Sequence, residues 1–194
     1  FFEYAGHGYY LELLRDITER KKAERERQVN LEYFKSMDRI NRAIQGARDI
    51  DGMMTAALDA VLSIFACDRA YLLYPCDPEA ETWTVPMERT RPEYPGVMEM
   101  GLVLPMTPEV AATARLVLAA EGPEQFGPEA HHPLPPDVSE RFGFKCIMAM
   151  ALHPKVGPAW LFGLHQCTHA RIWSPEEERV FQEIGRRLAD GLTT

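Results

Sequence analysis

The chain has 194 residues, 46% of them hydrophobic, which is enough to bury one substantial core rather than two. Its formal net charge of −8 argues against nucleic-acid binding, because phosphate recognition needs concentrated positive charge. The sequence has no apolar run near the roughly 18 residues that span a bilayer, and no signal-peptide pattern, so we expect a cytoplasmic domain without membrane contact.

The first predicted elements lie near the N-terminus. Residues 9–15 have the pattern of a strand, and a glycine-containing turn would pair it with residues 1–4 as a hairpin. Asp16 then caps a charged helix, with Glu19 at the spacing of a capping box. A strand that ends in Asp-Ile-Thr and runs directly into a charged helix resembles the C-terminal edge of a PAS sensor domain. The resemblance identifies residues 1–18 as a remnant of such a domain.

A continuous helix is predicted over residues 18–47, which contain no proline and a single glycine. In its second half, apolar residues recur at alternating spacings of four and three, which is a heptad pattern. These residues are Tyr33, Met37, Ile40, Ile44 and Ala47. The heptad seam predicts a parallel dimer contact, although the same stripe would also serve to cover the domain's own sheet.

Helices and strands are then predicted along the rest of the chain. Further helices are expected at residues 53–65, at residues 108–120 and from Ser174, where Ser-Pro-Glu-Glu combines an N-cap, an N1 proline and a capping-box acid. Strands are expected at residues 68–74, 82–89, 145–153 and 159–167. Prolines repeatedly interrupt the segment between residues 92 and 136. This order predicts an α+β fold, with long N- and C-terminal helices on one face of an antiparallel sheet and a loop and helix insert over the other.

Three short motifs in this order make the chain look like a GAF domain. They are Cys-Asp-Arg-Ala at residues 67–70, Trp-Leu-Phe-Gly-Leu at residues 160–164 and Trp-Ser-Pro-Glu-Glu at residues 173–177. The resemblance covers about residues 28–194. The expected organisation is therefore a PAS remnant at residues 1–18, a connecting signalling helix at residues 19–47 and a GAF domain at residues 48–194.

The resemblance also implies a role. A PAS exit that leads into a GAF domain is a frequent pairing in multidomain sensor histidine kinases and diguanylate cyclases. We therefore expect a non-catalytic signal-transduction module, dimeric through its first and last helices, between a PAS domain and an output domain. No glycine-rich phosphate loop, GxSxG or HExxH motif suggests an enzyme. A bilin chromophore is not expected, because the bilin-binding branch carries a Cys-His dipeptide that this sequence lacks.

A ligand pocket between the sheet and the insert would draw mainly on strand residues. The candidates are Arg69, Tyr71, Trp83, Arg89, Arg91, Met148, Met150 and His165. The paired guanidiniums of Arg89 and Arg91 would suit a carboxylate or a phosphate. The alternative is that these arginines pair with surface acids and that the methionines and aromatic residues belong to the ordinary core.

Histidines and cysteines offer a second kind of site. His165 and Cys167 share one strand face as i and i+2 residues, and Gly163 beside them would leave room for a flat cofactor. The further haem or metal candidates are His131 and His132 in the proline-rich segment and Cys76, expected to be more exposed than Cys67 or Cys146. The simpler interpretation is a histidine bonded to the backbone and small buried thiols. The four cysteines form no Cys-x-x-Cys pair, so no disulfide framework or structural zinc site is predicted.

Three functions remain open from the sequence. The first is a sensory domain that binds a small ligand and relays a signal through dimeric helices. The second is a haem- or metal-binding redox or gas sensor, and the third is a dimerisation module without a ligand.

Overall fold

The computed structural model describes the backbone of residues 6–192 and the side chains of residues 17–192. The helices are α1 (Gly6–Gly46), α2 (Ile50–Phe65), α3 (Pro108–Ala119), α4 (Pro136–Phe142) and α5 (Pro175–Gly191). The strands are β1 (Arg69–Tyr74), β2 (Thr82–Thr90), β3 (Val103–Pro105), β4 (Glu124–Phe126), β5 (Cys146–Leu152) and β6 (Trp160–Gln166). None of the described helices combines the length and the apolarity that a bilayer crossing needs.

The chain divides into two compact units, residues 1–36 and residues 37–194. In the first unit, residues 9–15 belong to α1, so the strand predicted there is wrong, and its predicted partner at residues 1–4 lies outside the described residues. Leu, Glu and Arg make up residues 11–15, and these strong helix formers extend a helix already established downstream. Most side chains from residue 17 to residue 36 are exposed.

In the second unit, α2 has a defined cap at each end. Asp49 is the N-cap, and its carboxylate accepts a hydrogen bond from the Gly52 amide at 2.7 Å. Ala66 ends the helix in the left-handed region, at φ 48°, shortly before β1 begins. The buried residues of α2 are mainly Met54, Ala57, Leu58, Val61 and Phe65. The helix packs against β1 and β2.

The six strands form one antiparallel sheet in the order β3-β2-β1-β6-β5-β4. In the central pair, Arg69 of β1 lies opposite His165 of β6, and Tyr71 lies opposite Gly163. On its other side β1 pairs with β2, which places Tyr71 opposite Glu88. Directly opposed residues in an antiparallel pair point to the same face of the sheet. Arg69, Tyr71, Glu88 and His165 therefore share one face.

The opposite face of the sheet, called here the helix face, is covered by α2 and α5. The Phe181 ring of α5 stacks on the Phe162 ring of β6, with 4.2 Å between centroids. The predicted capping box at the start of α5 is present, because Ser174 and Glu177 each bond the other's backbone amide. The predicted α+β architecture is confirmed.

Part of the heptad seam is used inside the second unit. Met37 and Ile40 are both buried there, so these two side chains are not available on the surface. Nearby, the Arg187 guanidinium of α5 donates a hydrogen bond to the Asn41 side-chain oxygen of α1. The stripe therefore serves the domain's own packing at these positions, which is the alternative that the pattern also allowed.

The insert contains more regular structure than predicted. Besides α3, close to its expected bounds, it holds the short strands β3 and β4 and the helix α4. Pro136 is the first residue of α4. A backbone amide at that position has no partner within the helix, so a proline there loses no hydrogen bond and can begin the helix. The Thr107 hydroxyl, at the N-cap of α3, donates to the Asp137 carboxylate at 2.8 Å and ties the two helices together.

Candidate ligand-binding site

A cavity lies between the sheet and the helices α3 and α4, on the face called here the cavity face. Its apolar walls include Leu73, Val85, Val110, Ala114, Phe144 and Leu161. The volume that the centre of a water molecule could occupy in this cavity is about 70 Å³. The total empty volume, including the mouth that opens to solvent, is about 650 Å³. A single water needs roughly 10–15 Å³ on the same measure. The cavity therefore has room for a small molecule.

His165 lines this cavity, and the hydrogen bonding of its ring is unusual for a histidine close to a core. Its Nδ1 is buried and has no hydrogen-bond partner among the described residues. The Phe144 ring is stacked on one side of the imidazole, at 4.1 Å and 14°, and Tyr71 lies 4.5 Å from it at a tilt. Burial, together with the nearby Arg69 charge, holds the pKa of His165 well below its usual range. The imidazole is therefore neutral at pH 7.

Tyr71 supplies a second neutral polar group to the cavity wall. Burial raises the pKa of the Tyr71 phenol, so the hydroxyl stays protonated. The ring lies across Gly163, where a Cβ atom would approach its Cζ to 2.3 Å. The space that Gly163 leaves beside the sheet is thus filled by Tyr71, and any ligand must lie beyond this ring.

Arg69 is buried next to the cavity and holds parts of its wall together. Its Nε donates to the carbonyl oxygen of Tyr94 at 3.0 Å, and its Nη2 donates to those of Pro95 and Phe142, both at 2.9 Å. These bonds connect β1 to the loop after β2 and to the end of α4. The predicted cationic residue is therefore present, but its donors are engaged by the backbone.

Glu88 lines the cavity and holds the same loop from a second point. One carboxylate oxygen accepts a hydrogen bond from the Met98 amide at 2.9 Å. The carboxylate lies so close to Gly96 that a Cβ atom there would meet it at about 2.0 Å. Burial raises the pKa of Glu88, while the Met98 amide and Arg69 oppose this shift.

Asp68, immediately before β1, anchors the end of β6 that carries His165. It is fully buried, and its Oδ2 accepts hydrogen bonds from the amides of Cys167 and Thr168 at 2.7 and 2.9 Å. The Gln166 side chain adds a third bond at 2.8 Å. Burial favours the neutral acid, but the amides of Thr168 and Cys167 outweigh it and hold the pKa of Asp68 below its usual value.

Four of the predicted ligand residues lie away from the cavity. Met150 contacts Gly185 of α5, and Met148 shares its helix face. Arg89 forms an ion pair with Asp59 of α2 at 2.6 Å. Arg91 donates to the Ala66 carbonyl and approaches Asp68. The alternative interpretation, core methionines and paired arginines, describes these positions better.

The haem and metal candidates are not gathered in one place. His132 bonds the Glu124 carboxylate at 2.9 Å, with His131 packed edge-on against it, and neither is among the residues that line the cavity around His165. No group of three or more histidine, cysteine or acidic side chains with metal-binding geometry occurs among the described residues.

The cysteines are free and buried. Cys76 is 2% exposed, against 0% for Cys67 and 1% for Cys146, so the expected difference is slight and all three thiols are buried. Burial and the neighbouring Asp77 raise the pKa of Cys76 to about 12, and burial raises that of Cys167 to about 11. These thiols are therefore protonated and unreactive at neutral pH.

Sequence reasoning missed Glu88, Phe144 and the α3 and α4 residues of the cavity. The alternation along β2 gave no signal for Glu88, because it continues from Trp83 and Val85 to Met87 and Arg89. A register shift between the pairs Leu72–Met87 and Tyr74–Thr84 brings Glu88 onto the cavity face instead. Phe144 precedes β5 and has no local pattern that marks it. Its position depends on where the insert returns to the sheet.

Comparison with known proteins gives a family and a set of similar folds. The family model described as the GAF domain matches residues 49–192. No relative was found among curated proteins. The far-red absorbing dark state of a protein with bound biliverdin IXa superposes with a TM-score of 0.68 at 14% identity, covering 81% of this chain and 97% of that chain.

Two other structures illustrate the range of this likeness. The phycoerythrobilin-bound GAF domain from a cyanobacterial phytochrome has a TM-score of 0.64 at 16% identity, covering 84% of this chain and 96% of that one. The GAF domain of a putative sensor histidine kinase from Pseudomonas syringae pv. tomato has a TM-score of 0.57 at 15% identity, covering 88% of this chain and 91% of that one. At these identities the likeness shows a shared fold.

These structures correct one expectation. The absence of a Cys-His dipeptide predicts that no bilin is bound, yet similar folds hold biliverdin and phycoerythrobilin. The exclusion was wrong, because a single dipeptide does not define which molecules this fold accommodates.

Proposed function

The chain belongs to the GAF domain family, and we propose that it is a non-catalytic sensory module that binds a small molecule in the cavity beside His165. The observation that carries this proposal is a mostly apolar cavity with the His165 imidazole in its wall, where the buried Nδ1 has no hydrogen-bond partner among the described residues. A buried polar group without a partner costs about 1–3 kcal/mol. A ligand that supplies the missing hydrogen bond would recover part of that free energy.

The cavity is also well placed to change shape with its ligand. Its wall includes residues of α3 and α4 and of the loop that Arg69 and Glu88 hold. A ligand shifts a conformational equilibrium only through a difference in affinity between two states. Insertion of a molecule between the sheet and this wall would supply such a difference.

The expected output path runs through the helices of the opposite face. The contact between Asn41 and Arg187 joins α1 to α5 in the second unit, so movement of the sheet would reach both helices. A histidine kinase or diguanylate cyclase as the output domain would fit this arrangement. The putative sensor histidine kinase with a similar GAF domain agrees with it. The preceding PAS domain expected from the sequence loses its support, because the strand that carried the resemblance belongs to α1.

We further propose that α1 forms a parallel homodimer, through residues other than Met37 and Ile40. Leu31 is 47% exposed and Phe34 is 67% exposed, one turn apart on the helix. A second copy would bury both side chains. Phe34→Glu should therefore shift the chain from dimer to monomer in sedimentation equilibrium, whereas Lys35→Glu on the same turn should not. A wild-type chain that remains monomeric at high micromolar concentration would refute this part.

Ligand binding is tested by native mass spectrometry of the purified chain and by a thermal-shift screen of small molecules. A compound that binds should raise the melting temperature of the wild type. Ala114→Phe, which fills the cavity from α3, should abolish that rise, and Met148→Leu on the helix face should preserve it. Equal stabilisation of both variants would place the ligand elsewhere and contradict the proposal.

A further inference from the structure

We propose that the enclosed part of the ligand is an uncharged, small aromatic or heteroaromatic group that hydrogen-bonds to the edge of His165, rather than a carboxylate or a phosphate. This inference rests on the proposed function and names the chemical class that the same cavity selects. It replaces the arginine-anchored anion that the sequence suggested.

The positive charges near the cavity are already engaged. No lysine or arginine is among the described residues that line it. The Arg69 guanidinium, next to the cavity, donates to the carbonyls of Tyr94, Pro95 and Phe142. An anion entering the cavity would have to take these donors from the loop and from α4. Loss of the loop contacts would open the wall that encloses the ligand.

The negative charge at the wall acts against an anion as well. Glu88 lines the cavity and already accepts the Met98 amide, and the Arg69 charge near it provides compensation. A ligand carboxylate would meet this group in an apolar space, where an unpaired charge is costly and like charges repel. The charges of Glu88 and Arg69 therefore compensate each other without any charge on the ligand.

The geometry around His165 restricts how the ligand is held. Phe144 is stacked parallel to the imidazole, and Tyr71 packs against it at a tilt. Phe144 covers one face of the ring and Tyr71 adds a tilted contact, so the ring edge with its in-plane nitrogens is the part best suited to bond a ligand. A neutral imidazole has one donor and one acceptor nitrogen. A planar molecule with an N–H or a carbonyl can satisfy one of them while its ring packs against Trp83 and Val85.

The size of the cavity agrees with this class. About 70 Å³ is open to the centre of a water-sized sphere, inside a hollow of about 650 Å³ with its mouth. One or two fused rings match the enclosed part, and a larger ligand would extend through the mouth. Apolar rings also suit walls made mostly of aliphatic and aromatic side chains.

The test compares indole with indole-3-carboxylate, which differ by one charged group, in calorimetric titrations of the 194-residue chain. We expect indole to bind at least tenfold more tightly. His165→Leu should weaken indole binding about tenfold, His165→Gln should restore part of it, and Met148→Leu on the helix face should leave it unchanged. Amide chemical shifts should change at residues 144–147 and 161–165 when indole is added.

Each contrary result has a distinct meaning. Binding of indole-3-carboxylate at the cavity as tightly as indole would overturn the uncharged class while leaving the proposed sensory function in place. Indole binding that His165→Leu does not affect would overturn the role of the imidazole. Failure of both probes to bind would also overturn the inference. The proposed function is decided separately, by whether any compound from the thermal-shift screen binds at the cavity.

Discussion

The two faces of the sheet are formed by the same strands but differ in how closely they are packed. On the helix face, Phe162 is fully buried and stacked on Phe181. On the cavity face, Leu161 and His165 of the same strand line the cavity. The Nδ1 of His165 has no hydrogen-bond partner among the described residues. The comparison indicates that the helix face supplies stability through close packing, whereas the cavity face retains unused space.

The largest expected effect is on the helix face. Phe162→Ala should lower the free energy of unfolding by about 3–5 kcal/mol, because it leaves a void in close-packed surroundings. Leu161→Ala, its neighbour on the cavity face, should cost roughly 2 kcal/mol, at the low end for such a change, because the side chain already borders a cavity. Urea denaturation of both variants provides the measurement. Equal losses would remove the distinction between the faces.

Asp68 is the residue on which both faces depend. Asp68→Asn should cost about 2–3 kcal/mol, because it weakens charge-assisted bonds to Cys167 and Thr168. Since the pKa of Asp68 is lowered in the folded state, its contribution is complete above about pH 3.8 and is lost as the pH falls further toward the folded pKa. The difference between wild type and variant should therefore shrink in acid. Asp59→Asn, which breaks an exposed ion pair with Arg89, should cost less than about 1 kcal/mol.

Arg69→Met tests whether the cavity wall is held from the sheet. We expect a loss of about 2 kcal/mol, since three backbone carbonyls lose a charged donor. The loop amides at residues 94–98 should exchange with deuterium faster, while those of α2 and α5 should keep their protection. Faster exchange spread evenly over both faces would argue that Arg69 supports the fold as a whole rather than the wall.

The smallest effect is the pH dependence that His165 contributes. Because its pKa is lowered in the folded state, the unfolded chain binds a proton first as the pH falls below about 6.5. The wild type should therefore lose up to about 1.4 kcal/mol per pH unit relative to His165→Leu between pH 6.5 and pH 5. Parallel stability curves for the two proteins over that range would show that the imidazole is not held neutral.

Much of the fold follows from local patterns. The capping box at Ser174 predicted the start of α5, and the apolar runs predicted β5 and β6 to within two residues at each end. The strand predicted at residues 9–15 is wrong, because a short segment of leucines with charged neighbours also suits a helix and adopted the structure of the chain that follows it. The short strands and α4 of the insert depend on contacts with distant parts of the sheet.

The candidate site was predicted only in part. Tyr71, Trp83 and His165 line the cavity, and Arg69 lies beside it, whereas Arg89, Arg91, Met148 and Met150 lie elsewhere. An alternating strand pattern shows neither the register shift in β2, which takes Arg89 off the face of Trp83, nor which layer will cover a face. This choice belongs to the packing of the helices and the insert, and no single segment contains it.

The sequence by itself determined the longer helices and strands after residue 50, their order and the GAF family, because caps, turns and apolar periodicity act between residues close in the chain. The tertiary structure alone decided that Arg69 lies opposite His165, that Glu88 joins Tyr71, and that Met37 and Ile40 are buried within the chain. Those relations join residues far apart in sequence. Strand pairing and helix packing bring them together, and the same packing leaves His165 facing an open cavity.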